Sequence, residues 1–588
     1  MTSAVRSASP VERTLKNFDE YSSPLRIAIV GCGPKGFYCL ESLTRRLIEC
    51  RSPRLIEVNV YEDAGFPGAG RVYDPRQPKF LRMNFASKYI DAWGRAPSAD
   101  SRRDSLCDFL SKARPELSDP DAFVPRAIVG EYLHECFREV MARSDDLLSV
   151  QLISQSVMRV SFENGAWAVE AGRETQAFDE VMITVGHGSW KFGEDSERSL
   201  YESVSQLFCV EMRVQPRCIP AVFPVTESLT EDALPRNSNV AIRGFALTFI
   251  DAALALTEGR GGVFETSTDG QWRYIPSGLE PAAICPFSRT GRPMFAKPTA
   301  AAVRESEELD EVWRAGLKRV YAIKSSVDSN VGGSEVRSPV DQLCSIVFAA
   351  ADESLSAIQA LKGRPHQLSC QCWFQKWINN RPSSDQARQV MRNSYRVAMG
   401  LDDPDEGWAL AEAWRKLYPA IVEVVSHGGL AADQWDAFQN FASEMERIAF
   451  GPPAENVGRM LALIDCGILD LRLLDELTDS RALFAPMDIV IDAVIESPSS
   501  CRSDSVLGHL LQSGHLHRTY TGGIAIDESG RVQRSDGSTE AGLSVIGRAT
   551  EGWVLGNDTL SRKLNSHPEK WASQMIDKYE LAKVFCNE

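Results

Sequence analysis

The sequence predicts an α/β protein with two Rossmann-like dinucleotide-binding domains, the first discontinuous and the second carrying a helical insertion. Three observations predict it. Leu25–Glu62 reads strand, glycine turn, helix, strand and terminal acid, in that order. A second strand-to-helix start follows at Asn239–Asp251. Apolar strands return late, at Pro486–Val494 and Leu543–Gly547, beyond a long helical block.

The first of these is the most specific. A β-branched run, Ile27–Val30, meets Gly31-Cys32-Gly33-Pro34-Lys35-Gly36, and an amphipathic helix starts at once with Phe37, Leu40, Leu43 and Leu47. Gly31 permits the tight turn, Gly33 lets backbone amides reach a pyrophosphate, and Gly36 lets helix and strand approach. The phosphates would rest on the helix N-terminus, where free amides and the macrodipole favour an anion. Glu62, ending the next strand, would accept from a ribose and repel a 2′-phosphate. The site therefore suits FAD or NAD, not NADP.

The 588 residues, 43% of them hydrophobic, are enough for two or three domains. A net charge of −16 argues against a nucleic-acid surface or an anionic membrane patch. No apolar run approaches the ~18 residues of a membrane span. Met1–Ser23 lacks the apolar core of a signal peptide and reads as a mobile tail, so the cytoplasm is the default location. The 14 cysteines show no zinc spacing, and Cys370-Gln371-Cys372 reads as structural.

In chain order, the glycine-rich loop Asp63–Tyr73 can approach a flat ligand closely. Asn84 then stands alone among apolar neighbours, either a turn residue or a ligand contact. A helix is expected from Val124 to about Met141. The short alternating runs Val150–Ile153, Met158–Phe162 and Ala166–Ala171 suggest an antiparallel flap. Val181–Gly188 is a buried strand ending in a glycine turn, with Thr184, Gly186 and His187 at its ligand-carrying end. In the second unit only Gly244 keeps the glycine pattern, and Ser288-Arg289-Thr290-Gly291-Arg292 follows the strand Ala282–Phe287. A cation there accommodates a 2′-phosphate, so the second site should attract what the first repels. Residues from about Pro339 to Leu477 read as helical, their tryptophans as core. A hairpin at Gly523–Arg534, the strand to Gly547, the Asn557-Asp558 loop and a helix over Lys570–Cys586 close the chain. The expected divisions are 1–24 (tail), 25–236 (first domain), 237–338 (second domain), 339–480 (insertion), 481–498 (closing strand of the second domain) and 499–588 (return to the first).

Taken together, VGCGPKG, the GFPGAGRVYDP loop with LRMN, VPRAIVGEYL, TVGHG, SRTGRP and GRATEGWVLGNDTLSR resemble the bacterial FAD/NAD(P)-binding flavoproteins. These include the nitrosuccinate-forming aspartate N-monooxygenase and an FAD-dependent urate hydroxylase. The resemblance implies FAD held at Gly31, Gly33, Pro34, Lys35, Gly36 and Glu62. It places Asn84 near the flavin, Thr184 and Gly186 at the second crossover, and Gly547, Asn557 and Asp558 over the ribityl chain. Gly244 and Arg289 would serve NADPH, although Ile491-Asp492-Ala493 stands where many relatives have ATG. The implied chemistry belongs to the cofactor: NADPH reduces FAD, O2 adds to give a C4a-hydroperoxide, and an uncharged substrate amine takes its distal oxygen. A small amino acid, aspartate first, would need cations, and Lys88, Arg95, Arg292, Lys297 and Arg447 are the candidates. The competing readings are a hydroxylase of a purine or other aromatic ring, a simple reductase, and a dinucleotide-binding protein without turnover. Neither nucleic acid nor membrane is expected as partner, and self-assembly is left open.

Overall fold

The computed structural model describes residues 24–50, 55–94, 103–143, 148–186, 198–200, 202, 204, 216–267, 271–327, 338–360, 369–475, 486–497 and 499–579. The expected tail over 1–23, Arg95, His187 and the chain beyond Tyr579 lie outside these residues.

The first parallel run begins with β1 (Leu25–Val30), β2 (Ile56–Tyr61) and β3 (Leu148–Ile153). The strands β4 (Val157–Glu163), β5 (Ala166–Ala171) and β6 (Glu174–Phe178) form a separate antiparallel sheet, and β7 (Glu180–Ile183) follows. The second unit contributes β8 (Arg217–Ile219), β9 (Asn239–Arg243), the hairpin β10 (Val263–Thr266) and β11 (Trp272–Ile275), then β12 (Ala283–Phe287) and β13 (Ile489–Asp492). The chain ends through β14 (Arg531–Gln533) and β15 (Thr539–Val545).

The first sheet has the order β14-β15-β7-β1-β2-β3, parallel except for β14. Register sets Val30 beside Tyr61 and Ile183, and Ile183 beside Val545. Four strands thus end in one row, and the loops after them form one crest, where open α/β sheets bind ligands. β1 is buried on both faces, as a parallel strand covered by helices must be. The Pro34–Cys50 helix lays Phe37, Leu40, Leu43 and Leu47 on it and packs against the closing helix His567–Lys578.

The second sheet, β12-β9-β13-β8, is parallel throughout. Its first helix, Leu247–Ala255, is apolar nearly all round and accordingly buried. The ion pair of Arg126 with Asp251, 2.7 Å, ties this helix to the Arg126–Ala142 helix of the first unit.

Two expectations need correction. Val150–Ile153 is not part of the flap: it lies within β3, which pairs in parallel with β2 as an edge strand. Alternation reports one covered face, and an edge strand with one exposed face shows the same pattern as a hairpin strand. The helical block also starts before residue 339. The Glu307–Val327 helix, with Glu307, Glu308 and Asp310 in its first turn, shares a core with Pro339–Ala360 and Glu406–Val425 through Leu309, Trp313 and Val320. By contrast, Ser384–Ala398 and Ala454–Asp465 pack on the second sheet through Met391, Val457 and Met460. The block is therefore shared between two cores. Its tryptophans 377, 408, 414 and 435 are all buried.

The late return is fastened by Glu180, which is 1% exposed at the start of β7. It accepts from Arg531 at 2.6 and 3.2 Å, from Lys578 at 2.7 Å and from the Tyr579 hydroxyl at 2.7 Å. Removing it would strand the buried Arg531. Glu180→Ala is expected to cost about 3–5 kcal/mol, measured by urea unfolding.

Candidate active site

The glycine turn is built by close approach. Gly31 has φ +89°, and a Cβ on it would lie 2.8 Å from the Thr184 carbonyl oxygen. A Cβ on Gly36 would come within 2.2 Å of the Gly31 carbonyl oxygen and 2.8 Å of Thr184 Oγ1. The Thr184 hydroxyl donates to that same carbonyl at 2.5 Å, while its amide donates to Val30 at 2.8 Å. The end of β7 thus clamps the turn. Gly33 differs: the nearest atom to its Cβ position is Gly70 Cα, at 3.9 Å. Among the described residues no side chain lies within 4 Å of that position, which leaves room for a pyrophosphate. Pro34 and Lys35 open the helix, whose first turn carries no acid.

Glu62 is buried and accepts one N–H on each oxygen, from Cys32 at 2.7 Å and Ala64 at 2.9 Å. Burial pushes its carboxyl up against the pull of those amides. Each oxygen keeps a second lone pair for a ribose hydroxyl. Gly186, φ +65°, has nothing within 4 Å of its Cβ position and leaves the crest open. These residues fit the dinucleotide of FAD.

At the other side of the crest, Gly547 (φ +99°) would set a Cβ 3.4 Å from Lys35 Cγ. Thr550 donates to the Gly547 carbonyl at 2.8 Å and accepts from Asn557 Nδ2 at 2.7 Å. Asn557 is fully buried, and its Oδ1 has no partner among the described residues, an acceptor that a ribityl hydroxyl would satisfy. Glu551 accepts from the amides of Gly556 and Asn557, both at 3.1 Å, and Asp558 pairs with Arg548 at 2.7 Å. Burial lowers the Lys35 ammonium to about 8, opposed in part by Asp558 and Glu551.

Among the predicted cations, Lys297 is the one brought to Asn84. Its ammonium donates to Asn84 Oδ1 at 2.8 Å and to the Asn84 carbonyl, and lies 4.7 Å from the Phe85 ring centroid. Asn84 Nδ2 in turn donates to the Phe450 carbonyl at 3.2 Å. Lys297 is 8% exposed and has no carboxylate within ion-pair distance among the described residues. Burial, reinforced by Arg415, holds its pKa well below the usual lysine value. The others are engaged elsewhere. Lys88 pairs with Asp121 at 2.6 Å near the surface. Arg292 gives both ends of its fork to Glu444 at 2.9 and 3.0 Å, and its third nitrogen to the carbonyls of Ile378 and Asn380. Arg447 donates to the Arg292 carbonyl at 3.0 Å.

On the second sheet, a Cβ on Gly244 (φ +111°) would lie 3.3 Å from the Ala493 backbone, and Arg243 pairs with Asp492 at 3.0 Å. Arg289 stands exposed after β12, without an ion pair among the described residues. Sequence reasoning missed Glu551 and Arg415. For Glu551 the signal was present: an acid five residues before a Gly-Asn step, able to cap its amides.

Gly33→Val is expected to purify without bound FAD, its side chain occupying the pyrophosphate space; an intact flavin spectrum would overturn the assignment. Because Lys35 carries its charge only below about pH 8, FAD should bind the apo-protein more tightly at pH 7 than at pH 9. Lys35→Met should flatten that difference, read by fluorescence titration.

A protein-family profile described as FAD-NAD(P)-binding matches residues 28–188. The chain is 25% identical to nitrosuccinic acid synthase npaA of Aspergillus oryzae, over 90% of this chain and 88% of that protein. It is 24% identical to a nitrosuccinate-forming L-aspartate N-monooxygenase of Streptomyces cremeus, over 76% of this chain and 74% of that one. Among solved structures, L-lysine 6-monooxygenase of Pseudomonas syringae aligns over 94% of this chain and 99% of its own, with 12% identity and a TM-score of 0.43. No helix among the described residues is long and apolar enough to cross a membrane. The profile and these relatives make the chain a flavin-dependent oxidoreductase that binds FAD and NADPH, similar in sequence to the nitrosuccinate-forming L-aspartate N-monooxygenases.

Proposed function

We propose that this enzyme oxygenates the amine of a small acidic amino acid, L-aspartate first, towards nitrosuccinate. The observation that carries the reading is Lys297, a buried amine with no carboxylate of its own. Burying such a group is costly unless a ligand completes it. A substrate carboxylate would, and Arg415, itself held by Glu412 and the Ala449 carbonyl, adds positive potential at Lys297. A bound carboxylate would favour the charged form of Lys297 against the pull of burial.

In this reading the first sheet, with Gly31, Gly33, Gly36, Glu62 and the Asn557-Asp558 loop, holds FAD. The second, with Gly244 and Arg289, receives NADPH, and the shared helical block closes the substrate space. Bound FAD supplies the redox chemistry, taking hydride from NADPH and activating O2. The protein's part is to hold the amine near the flavin, keep it uncharged and exclude water. Asn84 fixes the Lys297 ammonium through both of its oxygens. The ring of Phe450, 6.0 Å away, covers it from water.

NADPH oxidation and O2 use should rise when L-aspartate is added to the flavin-loaded protein, and less with ornithine, lysine or urate. No stimulation by any amine would overturn the reading. Lys297→Met should raise KM for aspartate roughly 10–100-fold, the worth of one charged hydrogen bond, with a smaller change in kcat.

A further inference from the structure

Glu446 has no part in the site as described so far. It lies in the last turn of the Ala432–Ala449 helix, where the macrodipole already disfavours a negative charge. Its side chain is open to solvent, yet it faces Asp558 and Glu551 and the phenol of Tyr418. Lys35, next to the glycine turn, interacts with the same two acids. Asp558 has Arg548, and Glu551 has two backbone amides. The side chain of Glu446 has no hydrogen bond or ion pair among the described residues, so its carboxylate is the unspent one.

The same segment reaches the opposite pole of the site. The amide of Phe450 donates to the Glu446 carbonyl at 2.8 Å, and the carbonyl of Phe450 accepts from Asn84 at 3.2 Å. Its ring lies 6.0 Å from the Lys297 ammonium on one side and 5.0 Å from the Tyr418 ring on the other. A buried amine lacking a carboxylate and an open carboxylate lacking a cation therefore flank one pair of aromatic rings. Each lacks what the opposite end of an amino-acid zwitterion carries.

We propose that Glu446 receives the substrate's ammonium group and removes its proton, while Lys297 holds the carboxylate. In the step, one N–H bond of the ammonium breaks and its electron pair stays on nitrogen. The proton bonds to a carboxylate oxygen of Glu446, leaving the uncharged amine that oxygen transfer requires. The surrounding protein, by desolvating the carboxylate, and after it the charge of Asp558 raise Glu446 to about 7, which suits a base working near neutrality. This inference rests on the amino-acid reading above.

The test compares wild type with Glu446→Gln and Glu446→Asp, all loaded with FAD, using L-aspartate and succinate, the same dicarboxylate without the amine. Wild type should bind aspartate more tightly than succinate by calorimetry, and Glu446→Gln should lose that preference. Its kcat with aspartate should fall about 100-fold or more, and the decline of kcat/KM below pH 7 should disappear. Glu446→Asp should restore part of both. Flavin reduction by NADPH without substrate should not change. If Glu446→Gln keeps the preference and the pH profile, or only loses FAD while turning over normally per bound flavin, the inference is overturned and the acid serves the cofactor. If wild type binds neither ligand and no amine stimulates it, the reading beneath falls, and the inference with it.

Discussion

The hydrogen bond from Thr184 to the carbonyl of Gly31 is the contact on which the site's geometry depends. It joins the end of β7 to the turn after β1, and the absence of a side chain on Gly36 is what lets the two meet. Those strands sit side by side in the sheet, so the same contact fixes the floor of the crest where Glu62, Gly186 and Gly547 converge. The glycine turn is backbone packed against backbone, with the Glu62 carboxylate and the Asn557 amide set at its margins. Shape, more than charge, defines the first half of the site.

In the proposed reading the second half works by charge, and at a cost to folding. Lys297 is buried without an acid, and Glu446 is set among acids at a helix end that disfavours it. Elsewhere the protein pairs its buried charges closely, Glu180 with Arg531 and Arg292 with Glu444 among them. The contrast separates ionic groups that maintain the fold from those left open to a ligand. Arg292 is instructive, because a guanidinium held by a carboxylate and two carbonyls has little capacity left for a substrate.

What the sequence disclosed follows from distance along the chain. The Leu25–Glu62 unit was legible because strand, turn, helix and acid are consecutive. The strands around Ile489 and Leu543 were legible from their apolar runs alone. The partner of Val150–Ile153 was not, since pairing depends on a neighbour some ninety residues away. The helical block was recognised, but not its start at Glu307 nor its division between two cores. Asn84 and Lys297 are 213 positions apart, so nothing local marks them as neighbours. Lys88 and Arg292 looked equally eligible because charge is visible in a sequence and its counter-ion is not.

The first sheet has a history as well as a shape. Its turn is made by residues 31–36, but the neighbouring strand β15 and the groups that neutralise Glu180 come from residues 531–579. At ~5–20 residues per second, synthesis takes on the order of half a minute or more to span that interval. During it, the earliest strands wait with an open edge, and the whole second unit is made in between. Cofactor capture is therefore a late event in the life of each chain. A truncated product would carry the most recognisable dinucleotide turn in the molecule and still have no finished place to hold its ligand.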